Sequence, residues 1–508
     1  MTPIIRLFDF SQKINYRTEV LAGLTVAMTM IPESLSFAIL AGFNPLTGLY
    51  AAFIMGLVTA ILGGRPGLVS GGAGATVVTL IALMKGQGIE YVFTAVAMAG
   101  VIQLLIGTFK LAKFIRLVPQ PVMYGFVNGL AVIIFMSQLE QFKVAGTGAW
   151  LSGSALYTML GLVALTIAIV LLLPKITKAI PASLVAIVVV FAVVAVFNIP
   201  TKTVSDIASI AGGFPPFHIP SVPFTFETLQ IVFPYALVMA CVGLTEGLLT
   251  LNLVDEMTAT KGNSNRECLA QGTANILNGF FSGMGGCPMI AQTFVNLSAG
   301  ARARLSGIVA AITILLIILV GAPVIGKLPM AALVGVMMMV AIGTFEWASF
   351  RIINKMPKAD IFVGVLVAII TIWLHNLALA VLIGIIIAAL VFAWESAKRI
   401  RARKYIDDTG AKHYEIYGPL FFGSTAAFTE KFDITNDPDL IIIDFKESRI
   451  TDMSAIDAVN KITKRYADAG KTVRLRHLSA DCRRLLNNAA GMIEVDIMDD
   501  PEYIVSEK

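Results

Sequence analysis

V-G-L-T-E-G-L-L-T (Val242–Thr250) and, forty residues on, G-M-G-G-C-P-M-I-A-Q-T-F-V-N-L (Gly283–Leu297) decide how this chain is read. Glu246 stands among Leu237, Val242, Leu244, Leu248, Leu249 and Leu251. In a bilayer such a carboxylate costs about 2.5–3.5 kcal/mol on insertion scales, so it faces a water-filled cavity or a partner. The later cluster Gly283, Gly285 and Gly286 is followed by Pro288, a residue suited to the first turn of a new helix. A helix that begins in mid-membrane points unpaired N–H groups at whatever lies in front of it. One stretch therefore pairs an acidic group with a candidate anion-binding helix end. The pattern has an echo at a single offset of 213 residues: Glu246 falls on Glu33 in I-P-E-S-L, and Gly285 on Gly72 in V-S-G-G-A-G-A. A repeat of interrupted helices points to a transporter's midplane site.

Composition agrees. The 508 residues are 57% hydrophobic and only 14% charged, against about 25% charged in soluble domains. Mean hydropathy is +0.81, that of a polytopic membrane protein. The net charge of +5 calls for no nucleic-acid partner. Cys241, Cys268, Cys287 and Cys482 lack the spacing of a disulfide framework or zinc site, and the four histidines form no metal pattern. Cys287 reads as a small apolar filler. The N-terminal sequence lacks a cleavable signal. No P-loop or Rossmann signature supports an enzyme, so the chain reads as a non-enzyme with no cofactor.

Fourteen apolar segments are expected near 19–41, 45–63, 73–87, 90–112, 119–138, 155–174, 182–199, 228–252, 267–283, 288–298, 304–324, 329–345, 359–374 and 377–397. The third and tenth are short and begin at the glycine clusters. With the N-terminus inside, the short inner loops carry thirteen lysines and arginines, and the outer loops only Lys85, Lys143, Lys202 and Lys327. That bias sets both termini in the cytoplasm of a multi-pass inner-membrane protein. The proline-rich stretch 199–226 falls where a connector between two halves belongs. Residues 1–18 form a basic cytoplasmic segment, 19–404 the membrane domain, and K-R-I-R-A-R-K (Lys398–Lys404) a juxtamembrane anchor. Residues 405–508 have ordinary globular composition. H-Y-E-I-Y reads as an edge strand, L-I-I-I-D-F-K as a buried strand, and 472–478 as a third strand. Helices are expected over 454–469 and 480–488, with Asp452 or Ser454 as a cap. Alternating strands and helices imply a small α/β domain.

These residues resemble the SulP (sulfate permease) anion-transporter family over nearly the whole length. The resemblance rests on I-P-E-S-L-S-F-A-I-L-A-G-F-N-P-L-T-G-L-Y-A-A-F (Ile31–Phe53), on the 242–305 stretch with G-N-S-N-R-E (Gly262–Glu267), and on T-D-M-S-A-I-D (Thr451–Asp457), which matches the D-x-S loop of a STAS domain. It implies a mainly α membrane protein of 14 transmembrane segments, built as a 7+7 inverted repeat of UraA-like type. Spans 1–4 and 8–11 would form a core and spans 5–7 and 12–14 a gate, followed by a cytoplasmic STAS domain.

Carried over residue by residue, Phe37 matches the aromatic beside the anion. Gly72, Ala73, Gly74 and Ala75, with Pro288, Met289, Ile290 and Ala291, match the two helix ends that hold it. Glu246 and Thr250 match the position that binds Na+ in a bicarbonate-transporting branch, and other members are proton-coupled there. Gln292, arginine in some animal members, completes a cation set for Na+ or H+. Glu33 is a secondary candidate. Ser454 matches a serine phosphorylated in stand-alone STAS proteins, though helix capping is the plainer reading. The implied function is secondary transport of a small inorganic oxyanion, sulfate or bicarbonate, by a homodimer joined through STAS and gate spans. The alternative is a nucleobase or other uncharged-solute symporter on the same fold.

Overall fold

The computed structural model describes residues 15–115, 119–144, 148–177, 181–206, 212–352, 355–374, 377–479, 482 and 496–497. The chain divides into two compact units between Ile385 and Ile386.

In the first unit the order is α1 (Tyr16–Leu40), α2 (Pro45–Leu62), β1 (Ser70–Gly71), α3 (Gly74–Val78), α4 (Ile81–Gln87), α5 (Ile89–Thr108), α6 (Ala112–Ile115), α7 (Gln120–Leu139), α8 (Gly153–Ile176) and α9 (Ala182–Phe197). Then come α10 (Phe226–Thr258), α11 (Ser264–Phe280), β2 (Cys287–Pro288), α12 (Ile290–Ser298), α13 (Leu305–Gly326), α14 (Met330–Thr344), α15 (Ala348–Ile352), α16 (Lys358–Leu374) and α17 (Leu377–Ala397), whose residues from Ile386 on belong to the second unit. Every apolar segment read from the sequence is helical here. Eight helices among the described residues are long and apolar enough to cross a membrane. The third segment is not one helix: it breaks at Thr79–Leu80 into α3 and α4.

Local chemistry sets the starts. Asn15, Thr225 and Asn263 accept from the backbone N–H of Thr18, Thr228 and Arg266, capping α1, α10 and α11. Asn44 caps α2, whose first residue is Pro45. The start of α13 is capped from another helix. Buried Glu19 of α1 accepts from the N–H of Arg302 (2.6 Å), Ala303 (2.8 Å) and Ser306 (3.0 Å), and a carboxylate suits that end of a helix dipole.

The helices pack in two sets. In one, α5 lies along α11 and α10, and α1, α2 and α13 pack on one another; in the other, α7 lies along α16 and α14, and α8 along α9 and α14. Helix α1 also touches α7, α9 and α14, so it forms the seam.

The second unit carries a five-stranded sheet of order β3 (Arg401–Ile406), β4 (Lys412–Leu420), β5 (Leu440–Ile450), β6 (Thr472–Arg476) and β7 (Asp496–Ile497). Strands β4 to β7 are mutually parallel, and β3 is antiparallel to β4. Helices α18 (Thr425–Thr429) and α19 (Met453–Asp468) complete the described elements. Alternate residues of the parallel strands (Tyr414 and Ile416, Ile441 and Ile443, Leu475) pack with Phe428, Val459, Ile462 and Tyr466 into one core.

Two expectations change. H-Y-E-I-Y lies in β4, an interior strand, because the edge is taken by β3. That strand starts at Arg401, inside the basic run read as a membrane anchor, where arginines on alternate positions mask its periodicity. Asp452 is the cap of α19, accepting from Ala455 N at 2.9 Å. Ser454 lies within the first turn and is exposed. Apart from Cys482, which is helical, the helix expected over 480–488 lies outside the described residues, as does the segment 1–14.

Candidate functional site

β1 and β2 are each two residues long and pair antiparallel, Ser70 opposite Pro288 and Gly71 opposite Cys287. Each strand leads directly into a helix, β1 into α3 and β2 into α12. Two antiparallel strands that each end in a helix start set the two helix N-termini facing one another across the crossing. Pro288 is therefore a strand residue rather than the first of a helix. The N-cap of α12 is Met289, and that of α3 is Ala73.

Glycine makes the crossing feasible. A Cβ on Gly286 would stand 1.9 Å from the carbonyl oxygen of Gly71, so the two backbones touch where side chains would be. On Gly74 a Cβ would meet the Phe37 ring at 2.4 Å, so the Phe37 ring packs directly on the start of α3.

Buried amides hold the crossing in place. Asn275 Nδ2 donates to Gly286 O (3.1 Å) and to Gln103 Oε1 (2.9 Å), and Gly286 N donates back to Asn275 Oδ1 (3.0 Å). Met289 N donates to Val69 O (2.9 Å), and Val69 N to Thr293 Oγ1 (3.0 Å). Asn275, Gln103 and Thr293 are fully buried. The sequence reading missed them, although a signal was present. Glu267, Gln271, Asn275 and Asn278 recur at helical spacing along α11, a polar stripe in a membrane segment, and all four are fully buried.

A cavity of about 830 Å³ opens in front of both helix starts. Its wall includes Phe37, Ala73, Gly74 and Ala75 from one side, and Met289, Ile290, Ala291 and Gln292 from the other. Gly72 and Pro288 are buried and do not line it: Pro288 belongs to β2, and Gly72 directly follows β1. Among the described residues, the first-turn N–H groups of Gly74, Ala75 and Thr76 and of Ile290, Ala291 and Gln292 have no hydrogen-bond partner. They are the unpaired donors that a helix start leaves.

Glu33 and Glu246 both line the cavity, and each is held by a residue of the 287–292 segment. Gln292 Nε2 donates to Glu33 Oε2 at 2.5 Å. The Cys287 thiol donates to Glu246 Oε2 at 3.1 Å. Cys287 is thus more than filler, since it ties the α10 carboxylate to the strand that precedes α12. The expected cation set is arranged differently from the expectation. Gln292 reaches Glu33, not Glu246. Thr250 is fully buried, and its hydroxyl donates to the Glu246 carbonyl at 2.8 Å. Glu346 also lines the cavity, and no lysine, arginine or histidine does so among the described residues. The positive potential there comes from backbone donors.

Comparison with known proteins gives this geometry its setting. The model of the sulfate permease family matches residues 16–367. The chain belongs to the sulfate permease family. It is 39% identical to YbaR of Bacillus subtilis, provisionally named a sulfate transporter, over 94% of this chain and 97% of that one. It is 29% identical to the bicarbonate transporter BicA of Picosynechococcus, over 93% and 90%. The solved transmembrane domain of a cyanobacterial BicA aligns with a TM-score of 0.62 at 28% identity, covering 74% of this chain and 98% of that one. Murine solute carrier 26 family member A9, an anion transporter solved in an inward-facing state, aligns with a TM-score of 0.81 over 94% and 89%; at 18% identity this shows the fold alone. The sulfate permease family is one of membrane-spanning anion transporters rather than enzymes, and these relatives do not favour the uncharged-solute alternative.

Proposed function

We propose that this family member is a secondary active transporter of a small oxyanion of the sulfate or bicarbonate class, driven by H+ or Na+ at Glu246. The observation that carries the reading is the meeting of two sets of unpaired helix-start N–H groups in one cavity with a half-buried carboxylate. Such donors suit an oxyanion and each helix end carries positive potential. An ionised Glu246 repels the anion, and a cation on it removes the repulsion. That difference in anion affinity between the two states is the coupling free energy, and it is reciprocal.

The fourteen helical segments are read as fourteen spans in two inverted halves, α1 to α9 and α10 to α17. The core holds α1 to α5 with α10 to α13, the gate the rest. Antiparallel β1 and β2 support an inverted relation. Alternating access is then a rocking of the core against the gate. The names of the relatives support sulfate and bicarbonate as the first anions to test. The C-terminal unit is read as a STAS domain that joins two copies, with both termini cytoplasmic in the inner membrane.

The test is reconstitution of Glu246→Gln in proteoliposomes. Cation-driven accumulation is expected to vanish while anion binding persists. Full coupled uptake by that variant would reject the role.

A further inference from the structure

A second cavity, of about 470 Å³, lies on the same helices and has no part in the site above. It touches α7 from Val132 to Gln138 and, beyond the helix end, Glu140 and Gln141, whereas the first touches α7 from Met123 to Ile134. On α14 it touches Met330 and Leu333, whereas the first touches Val340 to Thr344. At about 1.5 Å of rise per residue the two cavities open toward opposite ends of the same helix pair. They come closest at α1, where Ser36 faces one and Phe37 the other, and at α7, where Ile133 and Ile134 divide in the same way. Phe37, Ile134 and Leu333 are buried between them.

The lining of this second cavity holds one cation, Lys85 of α4, which has no acidic partner among the described residues. The carboxylates nearby are engaged. Glu140 is paired with Lys143 at 2.7 Å. Glu90 accepts from Ser221 N at 2.9 Å and is bonded to His218 at 2.7 Å. Asp206 accepts from the Thr203 N–H and hydroxyl, and these donors together with Lys202 hold its carboxyl below the usual range. Lys202 also reaches Gln141 Oε1 at 3.4 Å. Lys143 and Lys202 thus bind the lining residues Glu140 and Gln141, but neither lines the cavity itself. Ser137 and Gln138 spend donors on the α7 backbone at Ile134, so the ammonium of Lys85, with three N–H donors, is the charged lining donor left to bind an anion.

We propose that this cavity is an antechamber for the transported oxyanion, and that Lys85 recruits the anion there before it reaches the α3/α12 site. The inference rests on the transport reading. A lone cation at the mouth of a low-dielectric cleft raises the local anion concentration and the on-rate, an effect that salt screens.

The experiment measures initial rates of radiolabelled sulfate and bicarbonate flux in oriented proteoliposomes, from each face, at low and high ionic strength. It compares wild type, Lys85→Gln, Lys85→Arg and Glu246→Gln, all full length. Lys85→Gln is expected to raise KM roughly tenfold for entry from the Lys85 face. The maximal rate should hold, KM from the opposite face should hold, and the salt dependence of entry should flatten. Lys85→Arg should restore the wild-type values. Unchanged KM and salt dependence in Lys85→Gln, or an equal rise from both faces, would overturn the antechamber while leaving the transport reading intact. If the wild type carries neither anion, or Glu246→Gln stays fully coupled, the transport reading fails first and takes the antechamber with it.

Discussion

Asn275 is the side chain on which the most backbone geometry depends, because one amide holds both polar groups of Gly286 and also Gln103. Asn275→Leu leaves these buried groups unpaired, at about 1–3 kcal/mol. Anion affinity should fall as the α12 start shifts, and the melting temperature of the purified protein should drop; equilibrium binding and a detergent-phase melt measure the two separately. Asp437, in the second unit, makes a comparable cluster. It accepts from Tyr414 Oη at 2.6 Å and from Lys412 and Tyr466. Burial pushes its carboxyl up, but these three donors outweigh burial and hold it below the usual carboxylate range. A depressed carboxyl adds stability that is present above its unfolded pKa of about 4 and lost as pH falls through the folded value. The second unit should therefore lose stability on acidification below that pKa, and Asp437→Asn should flatten the acid limb. A melt series from pH 7 to pH 3, tracked by a probe in the second unit, reads both.

At the scale of elements, the crossing of β1 and β2 is the structure from which the site follows. It positions two helix starts without any charged side chain, so its precision comes from backbone contact. Gly286→Ala puts a methyl within 1.9 Å of Gly71 O, and backbone cannot yield as a flexible side chain does. Anion binding should be lost while the packing of α7, α8, α14 and α16, which lies elsewhere, persists. Calorimetric anion titration on protein that still elutes as a single species checks this. Retained affinity would show that the strand pair is dispensable. The elements themselves were legible in the sequence. Asn, Thr and Pro signals mark the starts of α1, α2, α10 and α11, and apolar length marks the rest. What escaped was the partner of each polar side chain: the expected cation set groups Gln292 with Glu246 and Thr250, and the Gln292 amide donates to Glu33. A side chain on the first turn of α12 has two carboxylates within its sector, and only the crossing angle chooses between them.

For the whole molecule, the division between Ile385 and Ile386 and the start of the sheet at Arg401 define where the C-terminal unit can be removed. Truncation after Arg399 deletes the whole sheet, whereas a cut after Lys404 would leave four of the six residues of β3 without their partner strand, an aggregation hazard. If the unit serves assembly, truncation after Arg399 should lower membrane abundance and the dimer fraction, with uptake per surviving molecule retained. Surface labelling, cross-linking and flux on one sample decide this, and normal abundance with dead transport would argue for a direct part in the cycle.

By itself the sequence determined the class of the protein, the positions of its helices, the two glycine-marked interruptions and the acidic residues at Glu33 and Glu246. These follow from hydropathy, helix-start chemistry and a repeat, all properties of short windows or of one offset. Only the tertiary structure decided that the two interruptions cross as a strand pair, that Gln292 and Cys287 divide the two carboxylates between them, and that Lys85 is the one cation lining the second cavity. Those are contacts between residues far apart in the chain, and in a membrane fold their geometry is set by which helices pack together, which no local pattern encodes.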